Sequence, residues 1–195
     1  MAIAVSGKNC ELREVVLRSK PAEMIEVSPK GTVPVLVLPE SHVIEESIEI
    51  MYWALDKDDP EGWLITTNQY RKDTDLLIAE NDGAFKENLD KYKYSARFEC
   101  SDPNYHRAEC LSFLYKLNDR LSKTNYLCSD KFSLADASIS PFVRQFANTD
   151  REWFDALDLP GIHRWLKLIL ESNRFVSVMK KYPAWDYSMN KTTFP

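Results

Sequence analysis

With 195 residues, of which 44% are hydrophobic and 28% charged, the chain has the length and composition of a globular protein that buries a core. Its net charge of -5 argues against nucleic acid and anionic membrane as partners. No stretch approaches the roughly 18 apolar residues of a transmembrane helix, and the first residues do not resemble a signal peptide.

The cysteines and histidines indicate neither disulfides nor a metal. No two of the four cysteines form a C-x-x-C pair, which is typical of reduced thiols, and we therefore expect a cytoplasmic protein. The three histidines are isolated in the sequence and lack the spacing of metal ligands.

The first 56 residues predict a mixed α/β domain. A β-branched run at 10–17 favours a strand, and residues 21–27 favour a short helix. A second strand is predicted over 32–38, with a short hairpin partner at 42–44. Apolar residues at helical spacing then predict a helix over 46–55.

Residues 57–64 are polar and predict a linker, after which residues 65–195 predict helices alone. Two long apolar stripes mark the first helices, one through Ile78, Phe85, Leu89 and Tyr92, the other through Cys110, Leu114, Leu117 and Leu121.

A third helix is predicted to start at Ser133, where Ser133 and Asp136 have the spacing of a capping box and a structural role. Further helices are predicted over 161–171 and 174–182. A domain of about 55 residues is marginal by itself. We therefore expect the two domains to be in contact, with a small ligand in the cleft between them.

Three motifs in this order resemble the glutathione S-transferase family. They are S-P-K-G-T-V-P-V-L at 28–36, V-I-E-E-S-I-E-I at 43–50 and F-S-L-A-D at 132–136 with Pro141 beyond it. The resemblance covers nearly the whole chain. It implies a thioredoxin-like N-terminal domain, here lacking its first strand, followed by an all-helical C-terminal domain.

The resemblance also implies a glutathione site. A cis bond at Val33-Pro34 would free the Val33 backbone to pair with the extended tripeptide. Glu46 and Ser47, at the start of a helix, would hold the ammonium and α-carboxylate of the γ-glutamyl end. Lys30 would pair with the glycyl carboxylate. Two of these residues have simpler alternatives, since Ser47 also suits a helix cap and Lys30 an exposed turn.

A co-substrate pocket is implied beside the first long helix, at Asn81, Asp82, Tyr92 and Arg97. A buried polar residue such as Asn81 also suits a hydrogen bond between helices. The second substrate would be a small electrophile or a mixed disulfide, and the family implies a homodimer that needs no metal.

The catalytic Ser, Tyr or Cys turn of the family is not found in this sequence. Residues 1–7 resemble the second half of the helix that follows that turn, so we expect a shortened N-terminus and assign no catalytic residue. Cys10 comes after the helix, so it is a poor candidate for the nucleophile and resembles a small hydrophobe. Glutathione conjugation, thiol transfer or deglutathionylation, a glutathione-binding pseudo-enzyme and a non-catalytic interaction module all remain open.

Overall fold

The computed structural model describes residues 1–64, 68–99 and 102–195. Cys100 and the predicted domain start at residue 65 lie outside the described residues. The strands are β1 (Cys10–Leu12), β2 (Leu36–Val37), β3 (Val43–Ile44) and β4 (Thr192–Phe194). The helices are α1 (Ala2–Ser6), α2 (Ala22–Val27), α3 (Ser47–Leu55), α4 (Asn68–Glu80), α5 (Lys86–Lys93), α6 (Pro103–Leu121), α7 (Leu134–Ala147), α8 (Arg151–Asp155), α9 (Pro160–Leu170) and α10 (Asn173–Val178).

The chain divides into two compact units, which differ from the predicted domains at the C-terminus. The first unit combines Met1–Glu61 with Asn173–Pro195, and the second is Gly62–Ser172. The sequence predicts that residues 173–195 belong to the helical domain. In the structure, residues 173–195 belong to the first unit, where Arg174 forms an ion pair with Glu61 and β4 pairs with β1.

In the first unit, the described strands form two separate antiparallel pairs. β1 pairs with β4, and β2 pairs with β3. The predicted strand over 10–17 is therefore too long. Residues beyond Leu12 leave the ladder, and Val16 and Leu17 are exposed, so their β-branched and apolar character does not reflect a buried strand. The predicted strand over 32–38 shortens to β2, because Pro34 has no N–H to donate to a ladder.

The helical unit buries both predicted stripes. Phe85, Leu89, Cys110, Leu114 and Leu117 are almost completely buried. Burial of a Leu or Phe side chain contributes roughly 1.5–3 kcal/mol, so these stripes account for much of the stability of this unit. Within the described residues, no helix has the length and apolar character needed to cross a membrane.

Helix α9 approaches α6 closely at Gly161. The Gly161 N–H donates to Asn118 Oδ1 over 2.9 Å, and a Cβ added at Gly161 would lie 2.9 Å from the Cβ of Leu121. Because so close a contact forces one helix to shift, we expect Gly161→Ala to lower the free energy of unfolding by about 1–3 kcal/mol.

Urea unfolding checks this prediction, with Lys167→Ala as the control. Lys167 is exposed on the same helix, so its replacement should change the free energy of unfolding by less than about 0.5 kcal/mol. Equal unfolding midpoints for the two variants would contradict the close packing at Gly161.

Candidate glutathione site

The turn before β2 places Lys30 beside the start of α3. Gly31 closes the turn by donating its N–H to the carbonyl of Ser28, and its φ of 60° is one that glycine adopts without strain. Lys30 Nζ lies 3.1 Å from Glu46 Oε1 and 3.7 Å from Glu45 Oε2. The structure thus brings two of the predicted site residues, Lys30 and Glu46, into direct contact.

The main chain at Val33 is open to a partner. The Val33-Pro34 peptide bond is cis, as the sequence leads us to expect. Val33 is 47% exposed, and neither its N–H nor its C=O forms a hydrogen bond within the described part of the chain. An extended peptide can therefore pair with this residue as an added strand.

Helix α3, whose N-cap residue Glu46 contacts Lys30, begins without a side-chain cap. Glu46 is the N-cap residue with an extended backbone, and Ser47 is the first helical residue. The Ser47 hydroxyl is exposed and has no hydrogen-bond partner among the described residues. The first N–H groups of a helix have no intrahelical acceptors and carry positive potential, so this terminus suits a carboxylate. The alternative role of Ser47 as a cap receives no support from this geometry.

The site carries one cation and two anions. The hydrogen bond from Lys30 to Glu46, and then the charge of Glu45, raise the pKa of Lys30 above its ordinary value. Lys30 is therefore a cation at every physiological pH, which suits a carboxylate ligand.

The four residues predicted for the co-substrate pocket differ in burial. Asn81 is fully buried and donates to Asp82 Oδ1 over 2.9 Å, whereas Asp82 and Arg97 are exposed. Tyr92 is buried, and its ring lies 5.6 Å from that of Phe146. Tyr92 is thus a core residue of the helical unit, because the apolar stripe to which it belongs faces inward.

The apolar stripe from Ile78 to Tyr92 predicts a long helix, which is interrupted in the structure at Asn81–Phe85. This segment forms a π-helical turn between α4 and α5, with a non-helical backbone at Gly83. Asn81 begins the turn, and its Oδ1 is buried without a partner in the described residues. The isolated glycine inside the apolar stripe was the sequence signal for this irregularity.

Ser133 and Asp136 form the capping box at the start of α7. The Ser133 N–H donates to Asp136 Oδ2 over 2.9 Å, and both residues are buried in the helical unit. The contacts of Asp136 are structural, to the backbone of Leu127 and to the indole of Trp165.

Two family models match the chain along most of its length. Residues 2–57 match the glutathione S-transferase N-terminal domain, and residues 78–168 match the glutathione S-transferase C-terminal domain. The chain belongs to the glutathione S-transferase family. It has the fold of that family, a thioredoxin-like N-terminal domain followed by a helical C-terminal domain, which confirms the fold class predicted from the sequence.

Solved structures share this fold at low sequence identity. A ternary complex of BphK, a bacterial glutathione S-transferase, superposes with a TM-score of 0.77 at 20% identity, covering 91% of this chain and 90% of that one. A glutathione transferase from Phanerochaete chrysosporium in complex with oxidized glutathione gives 0.67 at 22% identity, covering 81% and 76%. One from Burkholderia graminis, with two glutathione molecules bound per subunit, gives 0.66 at 19% identity, covering 80% and 70%. Among curated proteins, none matches the chain by sequence.

The three described cysteines are poor nucleophiles. Burial raises the pKa of the Cys10 and Cys128 thiols, and it raises that of Cys110 to about 12. The thiolate is the reactive form of cysteine, so none of these three has the low pKa of a catalytic thiol. Cys10, which we interpret from the sequence as a small hydrophobe, is partly buried.

Sequence reasoning missed two polar residues of this site, Ser28 and Glu45. The Ser28 side chain is fully buried, and its hydroxyl donates to Glu45 Oε1 over 2.5 Å. The consecutive acidic residues at 45 and 46 were visible in the sequence. Their different surroundings were not, since these depend on how the turn at Ser28–Gly31 folds back toward α3.

Proposed function

We propose that this protein binds glutathione through the turn before β2, the open main chain at Val33 and the start of α3. The observation that supports this best is the N-terminus of α3, where Ser47 has a free hydroxyl beside uncapped helix N–H groups. The Ser47 hydroxyl and N–H would take the α-carboxylate of the γ-glutamyl residue, a group that helix N-termini commonly bind.

The remaining contacts follow the chemistry of the tripeptide. The Val33 backbone, beside Pro34, would pair with the main chain of the cysteinyl residue as an added strand. Glu46 would face the ammonium of the γ-glutamyl residue, and Lys30 would face the glycyl carboxylate. Ion pairs between ionised groups are the strong hydrogen bonds of such a site.

We further propose that the chemistry occurs at the glutathione sulfur. Since burial raises the pKa of the three described cysteines, conjugation of glutathione to a small electrophile fits those residues better than thiol transfer through a protein thiolate. We assign no catalytic residue. A cytoplasmic homodimer, as in the expectations from sequence, is part of this proposal.

Retention on immobilised glutathione, with elution by free glutathione, tests the binding. Turnover with a chloronitroaromatic electrophile and with a mixed disulfide of glutathione then identifies the reaction. Conjugation supports the proposal in full, and reduction of the disulfide would favour thiol transfer. Retention without turnover would identify a glutathione-binding pseudo-enzyme. A protein that is not retained would contradict the proposal and favour a non-catalytic interaction module.

A further inference from the structure

Glu45 connects a buried hydroxyl to the exposed ammonium of Lys30. One carboxylate oxygen of Glu45 accepts the hydrogen bond from Ser28 over 2.5 Å, and the other lies 3.7 Å from Lys30 Nζ. The side chain of Glu45 is 27% exposed, against 61% for that of Glu46. Of the two carboxylates beside Lys30, Glu45 is thus the anchored one and Glu46 the exposed one.

In the structure, Lys30 and Glu46 neutralise each other. Their ion pair of 3.1 Å joins the two groups that the proposed function assigns to opposite ends of glutathione. Glutathione has one ammonium and two carboxylates, so its binding requires Glu46 to exchange Lys30 for the ammonium of the ligand. Lys30 then needs another carboxylate to hold its long and flexible side chain in place.

We propose that Glu45 is a positioning residue that holds Lys30 for recognition of the glycyl carboxylate of glutathione. This inference rests on the proposed function. Glu45 keeps its contact with Lys30 while Glu46 turns to the ligand, because the buried Ser28 hydroxyl fixes the Glu45 carboxylate. Both carboxylates also raise the pKa of Lys30, so the ammonium stays charged during the exchange.

The test compares two ligands that differ only at the glycyl carboxylate, namely glutathione and glutathione esterified with ethanol at that carboxylate. We expect Glu45→Gln to weaken the binding of glutathione by roughly three- to fivefold, the size of a partly exposed ion pair. The affinity for the ester should change by less than twofold, because the ester lacks the charge that Lys30 recognises. Calorimetric titration measures both affinities.

Two further variants separate positioning from other effects. Glu49→Gln removes the same charge from an exposed residue in the first turn of α3 and should leave the preference for glutathione over its ester unchanged. Ser28→Ala keeps both carboxylates but releases Glu45, so it should reduce that preference in the same direction as Glu45→Gln. Thermal melts verify that each variant is folded.

The outcomes distinguish this inference from the proposed function. In one outcome, the unmodified protein binds glutathione while Glu45→Gln lowers the affinities for glutathione and its ester equally, or lowers neither. In that case the positioning role is wrong and the proposed function stands. If the unmodified protein binds neither ligand, both are wrong. The inference is supported if Glu45→Gln and Ser28→Ala both reduce the preference for glutathione over its ester and Glu49→Gln does not.

Discussion

Replacement of Asp136 by alanine is expected to lower the free energy of unfolding by about 3–5 kcal/mol, which is comparable to breaking a buried ion pair. The Asp136 carboxylate is fully buried and accepts hydrogen bonds from the Leu127 N–H, the Ser133 N–H and hydroxyl, and the Trp165 indole N–H. Each donor left buried without an acceptor costs about 1–3 kcal/mol.

These hydrogen bonds connect three separate parts of the helical unit. Asp136 joins the segment at Leu127, the start of α7 and the middle of α9. Burial raises the pKa of the Asp136 carboxyl, and the hydrogen bonds from Leu127, Ser133 and Trp165 oppose that shift. The loss of this one side chain therefore affects the packing of α7 and α9 together.

Chemical unfolding of Asp136→Ala beside Asp119→Ala checks this expectation. Asp119 is an exposed carboxylate on α6 without a side-chain partner among the described residues, so its replacement should change the free energy of unfolding by less than about 0.5 kcal/mol. A loss below about 1 kcal/mol for Asp136→Ala would show that the network contributes little.

Replacement of Ser47 by alanine is expected to weaken glutathione binding while leaving the protein as stable as before. A hydrogen bond to a charged group contributes about 1.5–3 kcal/mol, which corresponds to roughly a 10- to 150-fold loss of affinity. Stability should hold because the Ser47 hydroxyl makes no hydrogen bond within the described residues and caps no helix.

Calorimetric titration paired with thermal melts decides between binding and capping. Ser19→Ala is the control, because its hydroxyl is also exposed and without a partner in the described part of the chain, and lies outside the proposed site. Unchanged affinity together with a lower melting temperature would show that Ser47 acts as a cap and does not contact the ligand.

The helical unit was the easier part to predict because its signals are local. The stripes through Leu89 and Leu117 follow the helical period, and the spacing of Ser133 and Asp136 defines a helix start within four residues. Burial then follows from amphipathicity. The π-helical turn at Asn81–Phe85 escaped prediction, because the isolated Gly83 inside the apolar stripe indicates an irregularity without specifying its type.

The first unit was harder because strand pairing is not local. The partner of β1 is β4, which lies at the opposite end of the chain. Residues 191–195, K-T-T-F-P, include β-branched residues typical of a strand. The residues around them do not indicate which strand they pair with. The sequence therefore predicts strands near 10–17 and 32–38 but not the pairing of β1 with β4.

The candidate site was predictable as a set of residues but not as a set of contacts. The resemblance named Lys30, Glu46 and Ser47 together. That Lys30 pairs with Glu46 in the structure, and that Ser28 anchors Glu45, depends on side-chain positions that a motif does not encode. For Tyr92, the resemblance implies a place beside the co-substrate pocket, whereas in the structure its ring packs against Phe146 in the core of the helical unit.

The most direct test of the glutathione site is the change in backbone amide NMR shifts of the isotopically labelled protein on titration with glutathione. We predict that the largest shifts occur at the amides of Val33, Ser47 and Ile48, and that they saturate with a single dissociation constant. Amide shifts confined to the helical unit, Gly62–Ser172, or no shift at millimolar glutathione, would contradict the proposed site.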